Sequence, residues 1–127
     1  FFLHNRTHQE EVISFVNKSQ ISRVFNNLIK NAIQAKKQDT VQTITIEIEN
    51  YGGKMWQIKI TDTGVGMTDE VKEKIFSPNF TTKTSGMGLG LAMVQRIVTT
   101  WGGSISFEST YNTGTTFFIT LPKYVVN

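Results

Sequence analysis

The segment Trp56-Gln57-Ile58-Lys59-Ile60-Thr61-Asp62 constrains this chain more than any other. Apolar and polar residues alternate along it, as in a strand with one face buried and one wet. Trp56, Ile58 and Ile60 share a face, and the same period of two sets Asp62 on it. A carboxylate turned toward a core is costly unless a donor meets it. Thr63-Gly64-Val65-Gly66 follows at once, and glycine lets backbone come close to a partner. The chain therefore needs a sheet with a covered face, and that face carries an acid waiting for an N–H at the end of this strand.

The neighbouring segments supply the rest of the sheet and its cover. Val12 to Val16 reads as a short strand. Ser19 suits a helix cap, and helical periodicity runs from Gln20 to about Gln38. Thr43 to Glu49 alternates cleanly, and Tyr51-Gly52-Gly53-Lys54 turns it back into the strand that ends at Asp62. Thr68 opens a short helix to about Lys74. Phe76 to Gly86 has little periodicity and contains Pro78, so it reads as a loop, and the part from Ser77 to Ser85 is of a kind that is often mobile. Gly88 to Trp101 reads as a helix, closed by Gly102-Gly103. Strands Ser104 to Ser109 and Thr115 to Leu121 follow, joined by a loop with Asn112 and Gly114. Hairpins beside helices imply an α+β fold: a two-layer sandwich with three helices on one face of a mixed, mostly antiparallel sheet of about five strands. Residues 1–18 form a leading segment, 19–122 the domain proper and 123–127 a tail.

At 127 residues the chain makes one domain with a real core. The net charge of +3 is small, and Lys and Arg form no run of five or six, which gives no ground for a nucleic-acid partner. With no cysteine, disulfides and thiolate metal sites are excluded, and a reducing compartment suits the chain. No apolar stretch approaches the ~20 residues that span a bilayer. Phe1-Phe2-Leu3-His4-Asn5-Arg6 reads as a cut inside a longer protein, which leaves room for an anchor upstream.

Three further patterns carry chemistry. On the first helix, Ile21, Val24, Phe25, Leu28, Ala32 and Ala35 share an apolar face about 100° wide, with Asn27, Asn31 and Gln34 as a neighbouring stripe. Asn31 lies roughly 20° from Val24, at the edge of the buried face. An amide oxygen there suits a magnesium ion that keeps waters and phosphate oxygens; solvated amides fit the same pattern. Lys30, roughly opposite the apolar centre, reads as solvated. Ser85-Gly86-Met87-Gly88-Leu89-Gly90-Leu91 leads into an apolar helix, and glycine backbone at a helix start suits phosphate; a plain flexible turn fits too. It is neither a Walker loop nor a dinucleotide fingerprint. Just upstream, Lys83 in Phe80-Thr81-Thr82-Lys83 is a candidate for a terminal phosphate or a solvated loop lysine. Third, Thr115 shares the inward face of Phe117, Ile119 and Leu121, which brings a hydroxyl near Asp62. His4 and His8 stand at i, i+4 without an evident third ligand and read as a surface pair.

Taken in order, these segments resemble the ATP-binding catalytic domain of sensor histidine kinases, within the wider group of gyrase, Hsp90-type chaperones and mismatch-repair ATPases. Asn27 to Ala35 looks like the asparagine box, Asp62 to Met67 the first glycine box, Ile75 to Lys83 the phenylalanine box and Gly86 to Leu91 the second glycine box. Gly114-Thr115-Thr116-Phe117 with Leu121-Pro122 looks like the closing strand. The match runs from about Ser19 to Pro122, and Phe80-Thr81-Thr82-Lys83 is most like the nitrogen-regulation branch.

The resemblance implies a Bergerat-type fold, ATP and Mg2+ as ligands, and a role for each matched residue. Asn31 would hold magnesium, with Asn27 and Gln34 beside it near the phosphates. Asp62 would accept from the adenine amine, with Gly64, Gly66, Met67 and Thr115 around it. Thr82 and Lys83 would belong to a lid, with Lys83 alongside Asn31 in the phosphoryl transfer, and Gly86, Gly88, Leu89 and Gly90 would offer backbone N–H groups to the phosphates. In the ATPases of the group a glutamate base stands one helical turn before the magnesium asparagine; Asn27 occupies that place here, and an amide takes no proton near neutral pH. The expected activity is therefore that of a protein-histidine kinase fragment, cytoplasmic, without direct membrane contact and unable to phosphorylate itself. Its partners would be a separate dimerisation and histidine phosphoacceptor domain and a response regulator, within a homodimeric parent. An ATP hydrolase of the group, or a binding module without catalysis, are the alternatives.

Overall fold

The computed structural model describes residues 2–5, 18–78, 80 and 90–123. Strand β1 (Phe2–Asn5) precedes helix α1 (Lys18–Gln34), the hairpin β2 (Ile44–Tyr51) and β3 (Met55–Asp62), and the short helix α2 (Asp69–Lys72). Helix α3 (Leu91–Thr100) and the hairpin β4 (Ser104–Thr110) and β5 (Gly114–Pro122) complete the elements of the described residues. The sheet order is β1-β2-β3-β5-β4. The pairs from β2 to β4 are antiparallel, and β1 adds to β2 in parallel at the edge.

Alternation builds the core as the sequence requires. Along β3, Trp56, Ile58, Ile60 and Asp62 are all buried. Cross-strand register stacks the inward residues in rungs: Ile48, Ile58, Ile119 and Ile105 form one, and Ile46, Ile60, Phe117 and Phe107 the next. Helix α1 covers these rungs with Val24, Leu28, Ala32 and Ala35, and α3 with Leu91, Val94, Ile97 and Val98. Phe107 stacks at a tilt with Phe76 and Phe117, ring centroids 5.9 and 6.0 Å apart. The Trp101 indole N–H donates to Gln20 Oε1 at 3.2 Å, tying the end of α3 to the start of α1. The opposite face of the sheet carries polar pairs such as Lys59–Glu49 at 2.9 Å. Among the described residues, no helix is long and apolar enough to cross a membrane.

Several boundaries differ from the sequence expectation. The strand expected over Val12 to Val16 lies outside the described residues; among the described residues the sheet begins with Phe2–Asn5, too short to show a period. His4 therefore stands in a strand, not on the helix that an i, i+4 metal pair needs. Helix α1 begins at Lys18, so Ser19 sits inside its first turn. It stops at Gln34 rather than near Gln38, because its last carbonyls find other partners: Ala32 O accepts from the Gln42 amide, and Ala35 O from the Val65 N–H at 2.7 Å. Helix α2 is shorter than expected but starts where the sequence places it, with Thr68 Oγ1 accepting from the Val71 N–H. Helix α3 starts at Leu91 because Gly90 is left-handed, at φ 55°. Lys123, expected to open a tail, lies with its ammonium 4.3 Å from the Trp56 ring centre.

Candidate functional site

The third inward rung is polar. Ile44, Asp62, Thr115 and Ser109 stand side by side across β2, β3, β5 and β4. Asp62 and Thr115 are only 4 % and 2 % exposed. Directly opposed residues of an antiparallel pair hold their Cβ atoms about 5 Å apart, so both side chains address one point. The Gly64 N–H donates to Asp62 Oδ1 at 2.8 Å. Burial raises the Asp62 carboxyl above its ordinary value, and the backbone N–H groups of Gly64 and Thr115 oppose that rise by favouring the charged form.

The loop after β3 is held on both sides. The Val65 N–H donates to Ala35 O at the end of α1, and Val65 O accepts from the Asn112 N–H at 2.6 Å. The Met67 N–H donates to Ser109 Oγ at 2.9 Å. Both glycines of this loop are required by close approach. A Cβ on Gly64 would lie 2.3 Å from Ala35 O, and one on Gly66 2.1 Å from Thr110 O. Gly66 also has φ +69°. The backbone does come close here, but the groups it approaches among the described residues are the protein's own.

On α1, Asn31 is 2 % exposed, and its amide nitrogen donates to Asn27 Oδ1 at 3.1 Å. The edge position on the helical wheel thus becomes a buried Asn31 paired with a half-buried Asn27. Gln34, on the same stripe, is exposed, as is Lys30. Among the described residues no group of three or more His, Cys, Asp or Glu is placed to hold a metal ion. A cation here would need a neutral amide oxygen together with oxygens brought by its ligand, a donor set that suits magnesium.

The structure thus gathers Asp62, Gly64, Gly66, Met67 and Thr115 at one end of the sheet, with Asn27 and Asn31 on the helix whose end anchors the same loop. Gly90 opens α3. Thr82, Lys83, Gly86, Gly88 and Leu89, and with them the expected lid, lie outside the described residues. A depression of about 320 Å³ lies at this end of the sheet, and its wall takes in Asp62, Ser109 and Thr115 together with the outward-alternating Thr61, Glu108 and Thr116.

Sequence reasoning missed Ser109, the Ala35 carbonyl and the Asn112 amide. Ser109 was within reach, since the period of two from Ile105 and Phe107 leads to it. The other two are backbone groups, and no side-chain pattern marks them.

Comparison with known proteins bears on this geometry. The pattern of the "Histidine kinase-, DNA gyrase B-, and HSP90-like ATPase" family matches residues 16–125. The sensor histidine kinase ZraS of Salmonella typhi is 42% identical over 103 residues, covering 81% of this chain and 22% of that protein. The sensor protein TdiS of Thauera aromatica is 38% identical over 109 residues, covering 83% of this chain and 20% of that protein. The chain therefore spans about a fifth of the length of the curated relatives it matches. A nucleotide-free structure of the catalytic domain of histidine kinase ThkA superposes with a TM-score of 0.80 at 33% identity, covering 97% of this chain and 79% of that one. On these matches the chain belongs to the histidine kinase-, DNA gyrase B- and HSP90-like ATPase family, and within it is homologous to the catalytic, ATP-binding domains of sensor histidine kinases.

Proposed function

We propose that this chain binds Mg-ATP with its adenine amine at Asp62 and, joined to a separate histidine-bearing helical domain, transfers the γ-phosphoryl group to that histidine. The observation that carries this reading is the buried Asp62. A carboxylate on the inward face, with one oxygen fixed by the Gly64 N–H, keeps lone pairs to accept from an exocyclic amine. Thr115 sits opposite on the same rung. Magnesium, when bound, neutralises phosphate charge, and Asn31 supplies the hard neutral oxygen suited to it, with Asn27 holding the amide nitrogen. Gly90, with Gly86, Gly88, Leu89, Thr82 and Lys83, provides the phosphate end, with Gln34 beside the asparagines. Catalysis by this chain is positioning and charge neutralisation, as in other phosphoryl transfers.

Asn27 stands where a hydrolase of the family needs a base. Its amide oxygen is occupied by Asn31, and an amide takes no proton near neutral pH. Bound ATP accordingly persists until an acceptor histidine reaches it. The acceptor belongs to a dimeric domain upstream, in the cytoplasmic part of the parent protein, and the phosphoryl group then passes to an aspartate of a response regulator.

Calorimetry with ADP and magnesium, followed by incubation with γ-labelled ATP, tests the reading. The expected result is saturable binding, no phosphate release and no self-labelling, with an acid-labile phosphohistidine once the upstream acceptor domain is joined. Steady phosphate release by the chain alone would make it a hydrolase. Absence of heat at millimolar nucleotide would make it a module without nucleotide.

A further inference from the structure

Ser109 touches three partners with one hydroxyl. Its Oγ accepts from the Met67 N–H at 2.9 Å, lies 3.1 Å from Gly114 O and stands 2.8 Å from Thr115 Oγ1. A serine hydroxyl has one proton and two lone pairs. Gly114 O is a carbonyl and accepts only. All three contacts are hydrogen bonds in one arrangement alone: Ser109 donates to Gly114 O, and its lone pairs receive the Met67 N–H and the Thr115 O–H. The Thr115 proton is then committed sideways along the rung, away from Asp62. What Thr115 Oγ1 presents to the shared point is lone pairs.

We propose that Ser109 is a positioning residue for base specificity: by taking the Thr115 proton it leaves Asp62 and Thr115 as a pair of acceptors that selects a purine amino group over a carbonyl. This rests on the adenine reading above. An oxo-purine brings a carbonyl and a ring N–H to the same edge. Its carbonyl meets two acceptors and gains nothing, while buried polar groups that lack a partner raise the cost. With Ser109 removed, the Thr115 hydroxyl is released to turn and donate, and a carbonyl becomes acceptable there.

The experiment compares ADP with inosine diphosphate, which has the same sugar and phosphates, in the 127-residue chain with magnesium. The wild type is expected to prefer ADP. Ser109→Ala also frees the Met67 N–H, which weakens both nucleotides alike; the informative quantity is the ratio of the two dissociation constants. That ratio is expected to fall on the order of fivefold, the worth of one neutral hydrogen bond. Ser109→Thr, which keeps the hydroxyl, restores it. In a Thr115→Val background Ser109→Ala leaves the ratio unchanged, since the two act through one group. An unchanged ratio in Ser109→Ala, with ADP preference intact in the wild type, overturns the role of Ser109 and spares the adenine reading; the same ratio shift in the Thr115→Val background does so too. A wild type with no preference for ADP overturns both. A melting curve for each variant separates these results from unfolding.

Discussion

Asp62→Asn is the substitution whose two effects have opposite signs. The carboxylate is almost wholly buried, and desolvation is the largest influence on it, raising its pKa above the ordinary 3.8. Where the folded pKa exceeds the unfolded one, the folded chain holds more protons between the two. Stability therefore falls as pH rises through that window, and above it the full cost of the buried charge is in force. Asparagine removes that charge and still accepts the Gly64 N–H through its amide oxygen. The nucleotide-free variant should accordingly melt higher than the wild type at neutral pH, and it should lose the wild type's downward slope in stability across the acidic window. Binding moves the other way. The amide turns an NH2 donor toward a purine amine, where the carboxylate offered a lone pair. Leaving a donor unpaired against a donor costs about 1–3 kcal/mol, which is roughly 5- to 150-fold in Kd. Thermal melts from pH 4 to 8 and calorimetry with Mg-ADP read both effects on one preparation. An unchanged Kd would refute the adenine assignment. A lower melting point without ligand would refute the claim that Asp62 is held at a cost to stability for the sake of binding.

Gly66→Ala combines a positive φ with a Cβ 2.1 Å from Thr110 O, whereas Gly53, at φ +84°, has nothing within 4 Å. Chemical denaturation should find Gly53→Ala costing about 1–2 kcal/mol from backbone conformation alone, and Gly66→Ala roughly 3 kcal/mol or more because backbone must also move; equal costs would refute the close approach. Leu28→Ala, at a fully buried position on α1, should cost about 2–5 kcal/mol in the same assay, and a loss under 1 kcal/mol would mean that α1 does not cover the sheet.

The sheet was legible because its strands alternate with a strict period. From Trp56 to Asp62 and from Thr115 to Leu121 the inward set read from sequence is the buried set. Asp62 and Thr115 could be placed in one region because both alternations end in polar residues. Their pairing on one rung could not, since register depends on how the strands slide past one another. The helix wheel placed Asn31 at an edge, and packing drew it under cover with Asn27 as its partner. The end of α1 was illegible for a different reason. Helical propensity continues past Gln34, and what stops the helix is a carbonyl taken by Val65, about thirty residues further along the chain. Edge strand β1 is only four residues long, and its place is set by the hydrogen-bonding edge of β2.

A polar rung inside a sandwich has to be satisfied before any ligand arrives. Among the described residues no buried side-chain oxygen or nitrogen lacks a partner. Asp62 is met by the Gly64 N–H, Thr115 by Ser109, and Ser109 by Met67 and Gly114. Each of these bonds involves the loop after β3 or the strand beside it, and that loop is itself fixed to α1 through Ala35 and to the β4–β5 hairpin through Asn112. Turning Asp62 or Ser109 would break a bond to that loop, and turning Thr115 would break its bond to Ser109. On the adenine reading proposed above, the base end of the site is set in advance by the same hydrogen bonds that make a polar rung tolerable in the core, and little ordering would be left to be done at that end on binding.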